Sequence, residues 1–244
     1  MNRRVTRRQQ RTRIAVAAVV AVASLSSAVV LAFVGRSGSS GGDNGAEPPS
    51  QSSTTIDAGG LEVPTPEGWT AAPVTEAGFG IAVPPGWEAT VLSGSALANL
   101  ERAAPRVSGF VEAARAAADA GAVFYAAGED DQGRVSDLKV RAAPDTDITD
   151  VAGLRRYAEQ LAADAALGEP AIEAVPGADH PTVRARFQLG ANSESGETVT
   201  TEGTETVVLG PDGIVWSLIV TSERAEAHDE LAAAIADTLT FAES

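Results

Sequence analysis

Side chains able to move a proton near neutral pH are scarce in this chain, which carries two histidines, His180 and His228, the residue type whose ordinary pKa lies in that range. It has no cysteine, which removes thiol nucleophiles, disulfides and thiolate metal sites, and with them the lipid-attachment cysteine of a bacterial lipoprotein. His180 precedes Pro181 and reads as a loop residue at the start of a strand; His228, beside Asp229, reads as a residue on the flank of the last helix. A zinc site asks for three or four converging ligands, which two isolated histidines do not supply. A Ser-His-Asp set asks for a serine in a nucleophile context. Gly38-Ser39-Ser40-Gly41-Gly42 matches G-x-S-x-G by letter, but no strand precedes it and no helix follows, as an elbow requires.

The acidic residues are weighed the same way. Asp145, Asp147 and Asp150 lack the alternating acids, the glycine and the distant glutamate of a calcium loop, so they read as charge and capping at a helix N-terminus. Gly128 to Gly133, "GEDDQG", reads as a solvated turn first and a weak cation site second. Arg184 and Arg186 should lie on the wet face of a strand, with Glu202 or Glu205 of the next strand facing them in pairs worth a few tenths to about 1 kcal/mol. No catalytic, cofactor-binding or metal-binding residue is assigned on these grounds, and the binding residues are left unknown.

The elements that position these residues divide along the chain by charge. Residues 1–36 hold seven arginines and no acid, a charge of +7, and the remainder carries −22, giving the overall −15. A body of that sign repels nucleic-acid phosphate, so no nucleic acid is expected as partner. Residues 1–13 form a basic N-terminus. Residues 14–34, "IAVAAVVAVASLSSAVVLAFV", carry no charge and as a helix would span roughly 30 Å, the thickness of a hydrocarbon core. The arginines ahead of it predict a signal anchor with the N-terminus cytoplasmic and the C-terminal domain extracytoplasmic. Ala21-Val22-Ala23 also satisfies a small-x-small cleavage pattern, but cleavage there would leave an apolar mature N-terminus. A twin-arginine export signal fits the same region only loosely. Residues 35–74, rich in Gly, Ser and Pro in their first part, are expected as a flexible linker, and 75–244 as the folded domain.

Within that domain Phe79–Val83 and Trp87–Leu92 flank "PPG" as strand, tight turn and strand. Pro85-Gly86 suits the centre of a type II turn, with Trp87 opening the returning strand; the looser copy at 64–69, "PTPEGW", keeps more of a partner-binding reading. Helices are predicted over Pro105–Ala120, over Val151–Leu167 with Thr149 or Asp150 as N-cap, and over Glu223–Leu239 with Ser222 as cap. Strands are predicted over Ala122–Gly128, Arg134–Ala143, Pro181–Leu189, Glu197–Leu209 and Ile214–Thr221. "GPDG" at 210–213 joins the last pair as a type I turn, and Val183, Ala185, Phe187 and Leu189 form the buried face of theirs. Antiparallel strands interrupted by helices predict an α+β fold, a sheet flanked by helices.

The order of these elements, with Phe79, Ile81, Pro84, Pro85, Gly86 and Trp87 in an F-x-I-x-x-P-x-G-W opening, Asp212-Gly213 before Trp216, and a closing helix around Leu231 and Ile235, resembles the PsbP-like fold family. That family includes the extrinsic photosystem protein PsbP, Ran-binding nuclear transport factors and actinobacterial cell-envelope proteins of the LpqN type. The resemblance spans roughly residues 75–242 and implies an α/β/α sandwich acting as a non-enzymatic binding module. The chain departs from the LpqN type in lacking the lipidated cysteine, a gap that the apolar N-terminal segment would fill. A membrane-anchored binding or accessory module for a cell-envelope protein or component, with no catalytic activity and no cofactor, is therefore expected. The alternative is a carrier or sensor of an apolar, lipid-like ligand held between helices and sheet.

Overall fold

A computed structural model of the chain describes residues 53–58, 61–103, 105–144, 146–163, 166–192 and 198–242. The basic N-terminus, the apolar segment 14–34 and, of the stretch expected as linker, residues 35–52 and 59–60 lie outside the described residues, as does Asp145. No helix among the described residues is long and apolar enough to cross a membrane.

The strands are β1 (Ser53–Ala58), β2 (Leu61–Pro66), β3 (Thr70–Val74), β4 (Phe79–Val83), β5 (Glu88–Val91), β6 (Ala122–Glu129), β7 (Val135–Ala143), β8 (Ala171–Ala174), β9 (Thr182–Asn192), β10 (Thr198–Leu209), β11 (Val215–Ser222) and β12 (Thr240–Phe241). The helices are α1 (Gly94–Ala103), α2 (Phe110–Asp119), α3 (Val151–Ala163) and α4 (Ala225–Ala236). A seven-stranded sheet in the order β5-β6-β7-β11-β10-β9-β8 is antiparallel throughout. Against it stand a small sheet, β12-β4-β3, and the β1-β2 pair.

Side chains alternate across a strand, and in the large sheet this alternation sorts residues by parity. Even-numbered Phe124, Ala126, Leu138, Val140, Val208, Trp216, Leu218 and Val220 form one core with Val74, Phe79, Ile81 and Val83 of the small sheet and Ala232 and Ile235 of α4. Phe79 anchors it, its ring 4.9 Å from Trp216 and edge-on to Phe124 at 6.4 Å. On the odd-numbered face two separate cores form. Tyr125 and Ala127 lie with Phe110, Ala113, Ala114 and Ala117 of α2, while Val183, Ala185, Phe187, Val207 and Val215 lie with Leu154, Ala158 and Ala162 of α3. Leu154 is fully buried, and its burial contributes about 2 kcal/mol. The α+β architecture with an antiparallel sheet is as expected, but the even-face layer is part helix and part sheet, so the body is not a plain α/β/α sandwich.

The two P-x-G-W stretches are the same structure. Trp87 N–H donates to Pro84 O at 3.2 Å with Gly86 at φ +79°, and Trp69 N–H donates to Pro66 O at 3.0 Å with Gly68 at φ +79°. A residue with a Cβ avoids that left-handed region. A Cβ on Gly68 would stand 3.6 Å from Pro85 Cγ, so the turns are neighbours, and Trp87 packs against Gly128, where a Cβ would come within 2.2 Å of its ring. The copy at 64–69, which keeps more of a partner-binding reading in sequence, has the same corner geometry as the other.

Several boundaries move. The body extends upstream of residue 75, because Leu61 and Val63 are buried where β2 crosses β4 at Gly80, whose missing Cβ would lie 2.5 Å from Val63 Cγ2. Helix α2 starts at Phe110 rather than Pro105, after Gly109 in the left-handed region, and ends at Asp119 with Ala120 as its C-cap, followed by Gly121 at φ +83°. β1, β2 and β3, which fall in the stretch expected as linker, were not predicted, nor were α1, β8 and β12; β8 and β12 are only four and two residues long. Helix α3 is described from Val151 to Ala163, with residues 164–165 outside the described residues, and begins as expected, with Gly153 N–H donating to Asp150 Oδ1 at 2.7 Å. Ser222 is not the N-cap of α4, which is Arg224; its Oγ accepts from Arg224 N–H at 3.0 Å and shares a hydrogen bond with the Ser136 hydroxyl at 2.8 Å. The 210–213 turn forms as read, with Gly213 N–H on Gly210 O at 3.0 Å.

Candidate functional site

The helices of the odd face pack on the flanks of the large sheet, α2 over β6 and α3 over β8, β9 and β10. Between them run β7 and β11, whose odd-numbered face is mostly polar at its middle, with Asp137, Lys139 and Arg141 on β7 and Ser217 and Thr221 on either side of Ile219 on β11. Within "VSDLKVRAA" of β7, residues 137–141 alternate: Leu138 and Val140 enter the even core, while Asp137, Lys139 and Arg141 stand on the other side. Register sets their neighbours. Asp137 lies across from Thr221, Lys139 from Ile219 and Arg141 from Ser217, and on the next strand Ile219 lies across from Glu205.

The result is a charged floor in which most members satisfy one another. Lys139 Nζ reaches Asp137 Oδ2 at 2.8 Å, and the Thr221 hydroxyl donates to Asp137 Oδ1 at 2.6 Å. The Ser217 hydroxyl donates a short hydrogen bond to Glu205 Oε1. Glu205 is only 3% exposed, and desolvation raises its carboxyl to about 6, against the opposing pull of the Ser217 hydroxyl and the Arg141 guanidinium. Burial also lowers Arg141, with Glu205 and then Tyr157 acting the other way. Tyr157 of α3 is pushed up by burial and then by Glu205. At the other end Tyr125 is raised by burial and then by the Asp137 carboxylate. Arg141 Nε and Nη2 are buried and have no hydrogen-bond partner among the described residues. Removing an ion from water costs several kcal/mol unless its partners restore what hydration supplied, so this floor is a costly arrangement in the middle of a sheet.

The residues singled out from sequence fall elsewhere. His180 is a loop residue, as expected, its ring edge-on to Phe241 at 5.2 Å. His228 is not on a helix flank: it is 3% exposed and its Nε2 lies 2.9 Å from Thr204 Oγ1. The buried residues of α4 are His228, Ala232 and Ile235, with Leu231 half-buried against the same core. Burial lowers the His228 imidazole, against Asp229 and Glu202 and together with Arg186. Thr204 has the parity of the even face and Ser217 that of the odd face, so the sheet itself separates His228 from the Ser217–Glu205 pair.

Glu205 does not face Arg184 or Arg186. Arg186 instead pairs with Glu173 at 2.7 Å and Asp229 at 3.4 Å, and Glu202 accepts from Gln188 Nε2 at 2.9 Å. A positional signal for Glu205 was present: it shares parity with buried Val207 and differs from Glu202, so the two glutamates cannot share a face. The turn at 128–133 closes on itself, Asp130 Oδ1 accepting from Gln132 and Arg134 N–H groups at 2.9 Å each. No group of three or more His, Asp or Glu side chains among the described residues could hold a metal ion.

No protein-family model matches the chain, and no curated protein matches it. Among solved structures it is similar to LpqN, involved in cell envelope biogenesis of Mycobacterium tuberculosis, with 11% identity and a TM-score of 0.40 over 80% of this chain and 92% of that one. It is also similar to the Ran-binding protein Mog1p of Saccharomyces cerevisiae, with 9% identity and a TM-score of 0.40 over 72% and 96% of the two chains. A point mutant of Mog1 gives 8% identity and a TM-score of 0.43 over 72% and 97%. Likenesses this remote assign no role to any residue, which leaves the function to be argued from the charged floor itself.

Proposed function

We propose that this protein is an extracytoplasmic binding module, held in the cell membrane by residues 14–34 with its N-terminus in the cytoplasm, and that its odd face takes a protein or other component of the cell envelope without transforming it. The observation that carries this reading is the floor of Asp137, Lys139, Arg141 and Glu205 between α2 and α3. Placing four ionisable side chains on central strands costs stability, and recognition is the role that would account for keeping them there. Their geometry suits holding rather than reacting, since the one buried hydroxyl in contact with Glu205 donates to it and both histidines lie elsewhere.

An apolar ligand between helices and sheet is the weaker reading. The even face is filled by Phe79, Phe124 and Trp216, and on the odd face a hydrocarbon would leave charged groups without water. The test is a photo-crosslinking residue placed at Ile219, half-buried on the odd face, in the full chain in its own membrane, with Glu62, exposed on β2, as control position. One saturable product from Ile219 and none from Glu62 is expected. Equal labelling from both positions, or none from either, overturns the reading.

A further inference from the structure

We propose that Arg141 is an oxyanion receptor: its Nε–H and Nη2–H groups form a bidentate fork for a carboxylate or phosphate group of whatever ligand the odd face takes. The inference rests on the binding reading above and specifies its chemistry.

The valences of the floor single out this side chain. Lys139 is occupied by Asp137 at 2.8 Å, Asp137 additionally by Thr221, and Glu205 by the Ser217 hydroxyl. Arg141 is left with two N–H groups, both buried and both without a hydrogen-bond partner among the described residues. Nε and Nη2 are the two donors that share one edge of a guanidinium, and their parallel N–H vectors match the two oxygens of a carboxylate or the two adjacent oxygens of a phosphate. Arg184 and Arg224 each leave only Nε in that state, and Arg224 Nε keeps Asp130 at 3.8 Å, so neither offers a fork. An unsatisfied buried donor is expensive, about 1–3 kcal/mol and more for a charged group, and an oxyanion would repay that cost twice over.

Arg141, Ile219 and Thr221 are half-buried while Nε and Nη2 themselves are buried, so the ligand approaches over these strand residues and uncovers the fork as it binds. The ionisable groups facing it are Glu205 of β10 and Tyr157 of α3, with Ser217 directly across the strand pair. A protonated Glu205 leaves the guanidinium to the ligand; an ionised one competes with the ligand for it and repels it. Oxyanion binding and proton uptake by Glu205 are therefore linked, and each strengthens the other by the same factor.

The experiment uses the full chain in detergent micelles, with inorganic phosphate and acetate as separate probes at constant ionic strength, read by the Nε–H resonance of Arg141 in a nitrogen-15 labelled sample. A saturable shift with phosphate alone points to a phosphate-bearing ligand, and with acetate alone to a carboxylate. Arg141→Lys, which keeps the charge and loses the fork, should weaken binding about tenfold, with its thermal unfolding recorded to establish that it folds. In the unaltered chain affinity should rise as pH falls, and Glu205→Gln should bind with that dependence abolished. The assignment is overturned if neither probe shifts Arg141, if Arg141→Lys binds as tightly as Arg141, or if Glu205→Gln keeps the full pH dependence. Those failures are distinct from failure of the binding reading, because the Ile219 cross-link would still form.

Discussion

Replacing Glu205 by glutamine should stabilise the protein, although it removes a buried hydrogen-bonded carboxylate. The carboxyl is raised from its ordinary 4.5 to about 6 in the folded chain, so between those values the folded state binds more protons than the unfolded state. The contribution of this group to stability is fully present below pH 4.5 and is lost as pH rises through about 6, where the folded protein must carry a charge that the unfolded chain solvates better. At 1.36 kcal/mol per pH unit the loss is about 2 kcal/mol at neutral pH. Glutamine resembles the protonated form, keeps a carbonyl oxygen for the Ser217 hydroxyl and never ionises. The stability difference between Glu205→Gln and the unaltered chain should therefore grow by about 2 kcal/mol between pH 4.5 and 7.5, which for a body of this size is a rise of about 4–8 °C in Tm. Tryptophan fluorescence during thermal unfolding in mild detergent reads it, since Trp69, Trp87 and Trp216 are the three tryptophans of the chain and all lie in the described body. A difference independent of pH refutes the reasoning. So does destabilisation by about 3–5 kcal/mol at neutral pH, which would mean that ionised Glu205 is the indispensable partner of Arg141.

Three further outcomes follow from the packing. Gly128→Ala should destabilise by about 1–3 kcal/mol and red-shift the fluorescence, because the new Cβ would lie 2.2 Å from the Trp87 ring and overpacking forces that ring outward. His228 is buried and its imidazole lowered, so the stability it allows is present above about pH 6.5 and lost as pH falls below it. His228→Gln in a Glu205→Gln background should flatten unfolding midpoints measured between about pH 7.5 and 5.5. Thr238→Val should cost about 1–3 kcal/mol, since the Thr238 hydroxyl accepts from Ala82 N–H at 2.9 Å and donates to Ile235 O at 2.7 Å; urea midpoints check it.

Much of the scaffold was legible because its signals are local. Alternation in 182–189, the turn residues of 84–87 and 210–213, and the Asp150 cap each depend on residues within a few positions, and each stands where the pattern placed it. Errors came where a short apolar pattern was satisfied by a distant partner: β2 is buried because it crosses β4 at Gly80, and His228 is buried because Thr204 meets it.

The charged floor lies between these cases. Sequence alone determined that Asp137, Lys139 and Arg141 share a face, because a strand repeats every two residues, and the same parity separates Glu205 from Glu202. Only the tertiary structure decided that β11 would lie between β7 and β10, that helices would cover the flanks and not the centre, and that Glu205 would take its bond from Ser217 and leave the Arg141 fork unpaired. Strand order is set by which faces bury together across the whole body, and no window of the chain contains that information.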